Sequence, residues 1–207
     1  MEAHITNYLH KGDLPANVKF NGDIAVDTEA MGLNNIRDRL CLIQLSDGNG
    51  DAHLVQFEAG KYKAPNLKKL LEDKKRTKIF HFARFDVAII KYYLDVNVYP
   101  IYCTKIASRL ARTYTDRHGL KDLCSELAGK EISKQQQTSN WGADDLSSEQ
   151  IKYAATDVLY LHQIREELEN MLKEEGRREL AYACFDVIPT FAALDLLGWK
   201  AIEIFEH

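Results

Sequence analysis

The sequence lacks the features of several protein classes. Its 207 residues contain no run of about 18 apolar residues, the length that a membrane-spanning helix needs. The first residues, MEAHITNYLHKGDLP, do not place an apolar segment after a basic one, so no secretory signal peptide is expected. The four cysteines form no CxxC pair, which argues against a zinc site, and we expect free thiols without disulfide partners. These absences predict a soluble, cytoplasmic protein with no membrane partner.

The chain also lacks an excess of positive charge. Lys and Arg number 27 against 31 Asp and Glu, for a net charge of −4. This balance argues against a protein that holds nucleic acid by bulk positive charge, although local basic patches remain possible. Apolar residues make up 45% and charged residues 28%, which is typical of a folded globular chain. The length favours one domain over residues 1–207, with a helical tail at 171–207, and leaves the oligomeric state open.

The N-terminal third has the pattern of β-strands. Its apolar, β-branched or alternating segments are DIAVDTE, RLCLIQLSD and AHLVQF. The turn sequence DGNG at Asp47–Gly50 lies between the second and third segments and predicts an antiparallel hairpin. A helix is predicted at Asn66–Leu71, and a further strand at Lys78–Phe82.

From Ala83 onward the chain is predicted to be almost entirely helical. Breaks are expected near Pro100, Gly119 and Gly129, and the segment from Ser133 to Asp145 is expected to be a loop. The helix with the clearest start follows Ser147, because Ser147 and Gln150 have the spacing of a capping box. Strands followed by helices predict an α/β fold with a mixed sheet, begun by an antiparallel meander and flanked by helices.

Four carboxylates and one tyrosine stand next to apolar segments: Asp27, Glu29, Asp86, Tyr153 and Asp157. On a strand, residues 27 and 29 face the same side, and on a helix, residues 153 and 157 are one turn apart. Each has an ordinary structural explanation when taken alone, such as a solvent-facing strand end, a helix N-terminal acid or a core tyrosine. Buried charges need a partner, and Mg²⁺ or Mn²⁺ prefers oxygen ligands. Together they predict a two-metal phosphodiesterase.

Three segments carry a more specific resemblance. VDTEAMGL, HFARFDVAII and QQTSNWGADDLSSEQIKYAATDVLYL, in this order, resemble the exonuclease motifs of the ribonuclease D family, over about residues 20 to 170. That family belongs to the DEDD group of 3′→5′ exonucleases with a ribonuclease H-like fold, and Tyr153 resembles its tyrosine-bearing branch. The resemblance implies two divalent cations, Mg²⁺ or Mn²⁺, and single-stranded RNA 3′ ends as the partner, with DNA as an alternative.

The resemblance also implies a role for each motif residue. Asp27, Glu29 and Asp157 would ligate the cation that holds the attacking water, with Asp27 bridging to a second cation. Asp86 would support that second cation, and Tyr153 would orient the water. The terminal nucleotide would be contacted by Thr28, His81, Phe85 and Leu33, the last as a wedge against its base.

Two further substrate contacts are predicted from charge and aromatic character. Residues 105–121 contain five basic residues and one acid, which predicts a phosphate track that includes Arg112, although a solvated helix face is the ordinary explanation. Trp141, in the predicted loop, could stack on a base of any identity.

The chain departs from the family pattern in two places. Cys103-Thr104 replaces the usual Asp-Thr, a change that we expect to affect packing or substrate contacts. The segment after Asp157 is short, so we expect a free-standing catalytic domain without the C-terminal helical RNA-binding modules. A DNA exonuclease and an inactive nucleic-acid-binding homologue are the rival hypotheses. The second is disfavoured because no metal-ligating carboxylate is missing.

Overall fold

The computed structural model describes residues 5–133, 135–136, 138–199 and 204. Its strands are Thr6–Lys11 (β1), Ile24–Ala30 (β2), Leu40–Ser46 (β3), Asp51–Gln56 (β4), Lys78–Phe80 (β5) and Ile101–Cys103 (β6). Its helices are Pro65–Leu71 (α1), Ala83–Leu94 (α2), Thr104–Ala111 (α3), Leu120–Ala128 (α4), Ser148–Leu159 (α5), Leu161–Glu174 (α6), Arg178–Asp186 (α7) and Ile188–Leu196 (α8). No helix in this described part of the chain combines the length and the apolar character needed to span a bilayer.

The strands form one mixed sheet in the order β1-β4-β3-β2-β5-β6. β2, β3 and β4 are antiparallel neighbours, and the predicted hairpin between β3 and β4 is confirmed. The pairs β1–β4, β2–β5 and β5–β6 are parallel. The α/β fold with its antiparallel meander is therefore as predicted, and β2, β5 and β6 all end at the same edge of the sheet.

Two strands were not predicted. β1 has the sequence TNYLHK, in which polar residues interrupt any apolar alternation, and it pairs at the sheet edge with β4. β6 is only three residues long and lies in the region predicted as helical, so that prediction was wrong there. Both strands are specified by pairing with distant segments, which local sequence patterns do not reveal.

Helix α5 begins where the capping box predicted. The Ser147 hydroxyl accepts a hydrogen bond from the Gln150 backbone N–H at 3.2 Å, and the Gln150 side chain accepts one from the Ser147 N–H at 2.9 Å. The helix contacts β2, β3 and β4, and its buried residues there include Ala154, Ala155 and Val158. Small side chains at this interface allow the helix backbone to approach the sheet closely.

The C-terminal helices pack onto the rest of the chain. Phe185, Ile188 and Ala192 are buried in the same core as the sheet. Helix α8 lies against α2, where Arg84 donates two hydrogen bonds to Asp195 at 2.6 and 2.5 Å. Both partners are partly buried, so this ion pair fixes α8 beside the start of α2.

Lys78 is a buried lysine whose charge is satisfied by backbone carbonyls. Its ammonium donates to the carbonyls of Asp73, Arg76 and Tyr99 at 2.8, 2.8 and 2.6 Å. Burial lowers the pKa of Lys78 to about 8. These bonds join the loop before β5 to the loop before β6, and they hold the two strands in register at the edge opposite the acidic residues.

Candidate active site

Three predicted carboxylates converge between β2 and α5. Oxygen atoms of Asp27, Glu29 and Asp157 all lie within 4.8 Å of one another, and each side chain is partly buried. Asp27 and Glu29 share one face of β2 because side chains alternate along a strand. Asp157 reaches them from α5, which packs on the sheet. This set of hard oxygen donors has the composition that Mg²⁺ and Mn²⁺ prefer.

The fourth carboxylate, Asp86, approaches from another element. It lies in the first turn of α2, where its side chain is buried. The Thr28 hydroxyl donates a hydrogen bond of 2.6 Å to Asp86 Oδ1. Asp27 is the nearby charge with the largest effect on Asp86. The structure thus groups all four predicted carboxylates at the edge where β2 and β5 end.

The four acids disfavour one another's ionisation. Burial raises the pKa of Asp27 to about 7. Burial, and then the charges of Asp27, Asp157 and Asp86, raise the pKa of Glu29 to about 10. The pKa values of Asp86 and Asp157 are also raised, first by burial and then by Asp27. A divalent cation would favour the ionised forms, so the donor chemistry and the electrostatics both fit a metal site.

Tyr153 stands beside these acids on α5. Burial, followed by the charges of Asp157, Glu29 and Asp27, raises the pKa of its phenol. The hydroxyl is therefore protonated at neutral pH and can donate a hydrogen bond. The Tyr153 ring lies 6.1 Å from the Trp141 ring, centroid to centroid, which limits its movement.

His81 is held as a neutral imidazole. Its Nδ1 lies 2.9 Å from the Thr104 hydroxyl oxygen, and that hydroxyl donates its proton to the Phe80 carbonyl at 3.1 Å. The single hydroxyl proton is thus committed, so Nδ1 of His81 carries the hydrogen and Nε2 is an acceptor. Burial, and then the charge of Lys105, lower the pKa of His81 to about 3.

Leu33 projects from the loop between β2 and β3. Its side chain is 89% exposed, which is unusual for leucine and leaves its apolar surface available to a ligand. Asn35 in the same loop donates to the Phe85 carbonyl at 3.0 Å, which joins the loop to the first turn of α2. Leu33 and Phe85 therefore lie on two connected segments beside the carboxylates. Their predicted contacts with a terminal nucleotide stay predictions.

The predicted phosphate contact of Arg112 is wrong. Its side chain is completely buried and forms an ion pair with Glu126. It also donates to the Arg117 carbonyl at 3.0 Å and to the Ser108 hydroxyl at 3.3 Å. Arg112 joins α3 to α4 and cannot reach a substrate. Arg117, in the same basic segment, pairs with Asp122.

Two other predicted substrate contacts need correction. Trp141 is buried, with 2% of its surface exposed, so its ring packs by Tyr153 and cannot stack on a base. Thr28 is buried as well, and its hydroxyl donates to Asp86. Thr28 positions a carboxylate and does not offer its side chain to the substrate.

One residue near the acids was missed by the sequence reasoning. Phe82 directly follows His81, is half exposed and has a positive φ of 69°. The Lys105 ammonium lies 4.3 Å from the centre of its ring. No sequence pattern marks a left-handed phenylalanine, although its position between a strand and a helix marks a turn.

The chain is similar to known exonucleases in sequence and in structure. A sequence model of a 3′-5′ exonuclease family matches residues 9–173. Ribonuclease D of Acidiphilium cryptum is 34% identical over 154 residues, which is 74% of this chain and 39% of that protein. The chain thus spans less than half the length of these curated ribonuclease D proteins.

Solved structures of similar length also match. NrnC of Brucella melitensis bound to pGG is 52% identical, with a TM-score of 0.94. NrnC of the same organism with bound Mg²⁺ is 50% identical, with a TM-score of 0.93. Both alignments cover 99% of this chain and 100% of the NrnC chain.

Proposed function

We propose, from the premise that this chain belongs to the 3′-5′ exonuclease family, that it shortens RNA from the 3′ end and releases nucleoside 5′-monophosphates. The observation that carries the proposal is the convergence of Asp27, Glu29 and Asp157 oxygens within 4.8 Å, with Asp86 beside them. A folded domain has no structural need for four mutually repelling acids at one place. Such a cluster of acids can instead hold the cations that catalyse phosphodiester cleavage.

Two relatives support RNA as the substrate. The curated relatives include ribonuclease D proteins, and NrnC of Brucella melitensis was solved bound to pGG. Short RNA of this kind is therefore the first substrate to test. DNA is the alternative polymer, and no described side chain favours it.

The carboxylates have distinct positions for holding cations. Asp27, Glu29 and Asp157 would hold one cation, and Asp86, with Asp27, would hold a second. Two divalent cations, when bound, lower the pKa of an attacking water and offset charge on the leaving 3′ oxygen. Thr28 keeps the Asp86 carboxylate oriented through its 2.6 Å hydrogen bond.

Tyr153 would orient the attacking water. Its protonated hydroxyl stands one helical turn from Asp157, and the charges of Asp27 and Glu29 also act on it. A neutral phenol donates one hydrogen bond to a water oxygen and so fixes the direction of its lone pair. Trp141 supports the ring from the buried side.

The terminal nucleotide would lie between the β2–β3 loop and α2. Leu33 offers exposed apolar surface to a base, and Phe85 lies on the segment bonded to that loop. His81, neutral and with Nε2 as an acceptor, suits a ribose hydroxyl. A neutral imidazole at this position can accept a hydrogen bond from the sugar and does not need a phosphate partner.

We also infer that the catalytic domain includes the C-terminal helices, so that it extends over residues 1–207. The support is the ion pair of Arg84 with Asp195, which connects α8 to the helix that carries Asp86. The family match ends at residue 173, before α7 and α8. The cytoplasmic location expected from the sequence stays a prediction.

The test uses 5′-labelled single-stranded RNA and DNA of one sequence, and pGG, with Mn²⁺, Mg²⁺ or EDTA. Asp27→Asn is the inactive variant, and Asp116→Asn is its matched control, because Asp116 is an exposed acid between α3 and α4. We expect metal-dependent shortening from the 3′ end in the wild-type protein and the control, and none in Asp27→Asn. Faster shortening of DNA would favour the alternative polymer, and intact substrate in every lane would contradict the proposal.

A further inference from the structure

Phe82 has a backbone conformation that is unfavourable for its side chain. Its φ and ψ are 69° and 45°, in the left-handed region that glycine and asparagine adopt more readily. The residue stands where β5 gives way to α2, and its carbonyl accepts a bond from the Phe85 N–H at 3.3 Å. Strained residues of this kind persist where the surrounding structure holds them, and they cluster at active sites and ligand contacts.

The Phe82 ring is also poorly buried. Half of the residue is exposed, so the fold gains little from its apolar surface. The Lys105 ammonium lies 4.3 Å from the ring centroid, within the range of a cation–π contact. Among the described residues, Lys105 forms no ion pair. The exposed Phe82 ring and the Lys105 ammonium are thus in contact with each other, and we call the two side chains the Phe82–Lys105 unit.

This unit stands at the edge that carries the acids. Phe82 is one helical turn before Asp86 and directly after His81. Lys105 is the second residue of α3 and directly follows Thr104, which holds His81. The carboxyl ends of the parallel strands β5 and β6 bring the two residues to the same place. Their position is therefore fixed by the sheet that also positions the carboxylates.

The chemistry of the unit matches one nucleotide. An aromatic face stacks on any base, and an ammonium binds a phosphate oxygen. The acids beside it repel a polyanion, so a cation at this edge offsets part of that repulsion. Other ligands would contact only one of the two side chains. An apolar protein surface would contact the Phe82 ring alone, and a simple anion would contact the Lys105 ammonium alone.

We propose that Phe82 and Lys105 form a nucleotide-binding subsite for the substrate strand. The ring stacks on one of the last two bases, and the ammonium binds a phosphate next to that base. This inference rests on the proposed exonuclease function and adds to it a contact that determines how tightly a 3′ end is held. Stacking keeps the subsite tolerant of base identity.

The first experiment compares Phe82→Asn with the wild-type protein. Asparagine tolerates the left-handed backbone and removes the ring, so the melting temperature should stay equal or rise. The KM for short RNA should increase about tenfold, with kcat changed much less. Phe82→Leu keeps apolar bulk and provides a second variant if the first unfolds. Tyr92→Leu, which alters an exposed aromatic residue near the other end of α2, is the control.

A direct reading of stacking uses RNA tetramers with 2-aminopurine at the last or the next-to-last position. Mixing with wild-type protein in a stopped-flow instrument should quench one probe before cleavage, and Phe82→Asn should remove that quenching. Lys105→Met should flatten the dependence of log KM on log salt by about 0.7, the value for one phosphate of a single strand. Lys74→Met, in the exposed turn before β5, should leave the slope unchanged.

The outcomes separate the two proposals. Wild-type cleavage with an unaltered KM and unaltered quenching of both probes in the Phe82 variants would overturn the stacking contact. An unaltered salt slope in Lys105→Met would overturn the phosphate contact. A wild-type protein that cleaves neither RNA nor DNA would instead overturn the proposed function, and the subsite with it.

Discussion

The Thr28 hydroxyl donates a 2.6 Å hydrogen bond to Asp86, and so connects β2 to α2 beneath the acidic cluster. Thr28 stands between Asp27 and Glu29 in sequence, but alternation along the strand turns it to the opposite face. One strand thus supplies two carboxylates to the site directly and positions a third through its hydroxyl. The spacing Asp-Thr-Glu carries more structural information than the two acids alone.

Thr28→Val should weaken the binding of the cation that Asp86 supports. Valine keeps the shape of threonine but removes the hydrogen-bond donor, and partners of this kind are typically worth about tenfold or more in metal affinity. The Mn²⁺ concentration for half-maximal activity should therefore increase about tenfold. Thr28→Ser, which keeps the hydroxyl, should stay near the wild-type value, and an equal shift in both variants would argue for a packing effect.

Divalent cations should raise the thermal stability of the protein, and more so at high pH. The folded-state pKa values of Asp27 and Glu29, about 7 and about 10, exceed their ordinary values. From the ordinary pKa of each carboxyl up to its raised pKa, the metal-free folded state holds more protons than the unfolded state. The stability of the metal-free protein therefore falls as the pH rises through this range. We expect Mn²⁺ to raise the melting temperature by about 4 °C or more near pH 8, and by less near pH 5.

Glu29→Gln is the matched variant for this pH effect. Without metal it should be more stable than the wild-type protein near pH 8, because wild-type Glu29 must take up a proton to fold at that pH and glutamine is always neutral. The difference should shrink as the pH falls toward about 5. Scanning calorimetry in EDTA across this range measures both. A wild-type stability that rises with pH above about 5 in EDTA would contradict the expected linkage.

Tyr153→Phe should lower kcat by about 100-fold with little change in KM. Phenylalanine keeps the ring that packs by Trp141, so the melting temperature and its increase with Mn²⁺ should be retained. Rapid-quench measurement of the first turnover separates this step from product release. An unchanged first-turnover rate would exclude Tyr153 from the chemistry.

Arg112→Ala should destabilise the fold by about 3 kcal/mol, because it removes the ion pair with Glu126 and the hydrogen bonds to Ser108 and the Arg117 carbonyl, and opens a buried space. Urea unfolding monitored by circular dichroism measures the free energy of unfolding. The salt dependence of KM for RNA should stay as in the wild-type protein, since the side chain does not reach solvent. A flatter salt dependence of KM in a folded variant would mean that Arg112 contacts a substrate phosphate after all.

The Arg84–Asp195 pair should show a coupling free energy of about 1 kcal/mol in a double-mutant cycle with alanine. The pair is bidentate and partly buried, and the Arg84 guanidinium also lies 5.4 Å from the Phe191 ring centre. Urea unfolding of the four proteins gives the coupling. Additive effects would mean that α8 packs on α2 without help from this ion pair.

The sequence was sufficient to identify the acidic cluster. Asp27 and Glu29 are fixed by strand alternation, and Tyr153 and Asp157 by helical spacing in a helix whose start Ser147 defines. These are local rules, and they hold in the structure. That the motifs meet at one place came from the resemblance to known exonucleases, because local rules do not say which segments pack together.

The incorrect predictions share a physical cause. Arg112 and Trp141 were assigned to the substrate because their chemistry suits nucleic acid, but tertiary packing buries both. Burial of a single arginine or tryptophan depends on distant residues, here Glu126 and Tyr153. Phe82 was overlooked for the converse reason, since its exposure and positive φ are properties of a three-dimensional turn.

The long sequence separation between Asp27 and Asp157 has a consequence for folding. A chain that has formed only the β2–β3–β4 meander holds two of the clustered acids and lacks the third, so it offers an incomplete site. Closing so large a loop is slow and occurs late, once the long-range contacts of α5 repay its entropy. Cations should therefore slow unfolding far more than they speed refolding. The lifetime of the native state would then depend on how long the cation stays bound.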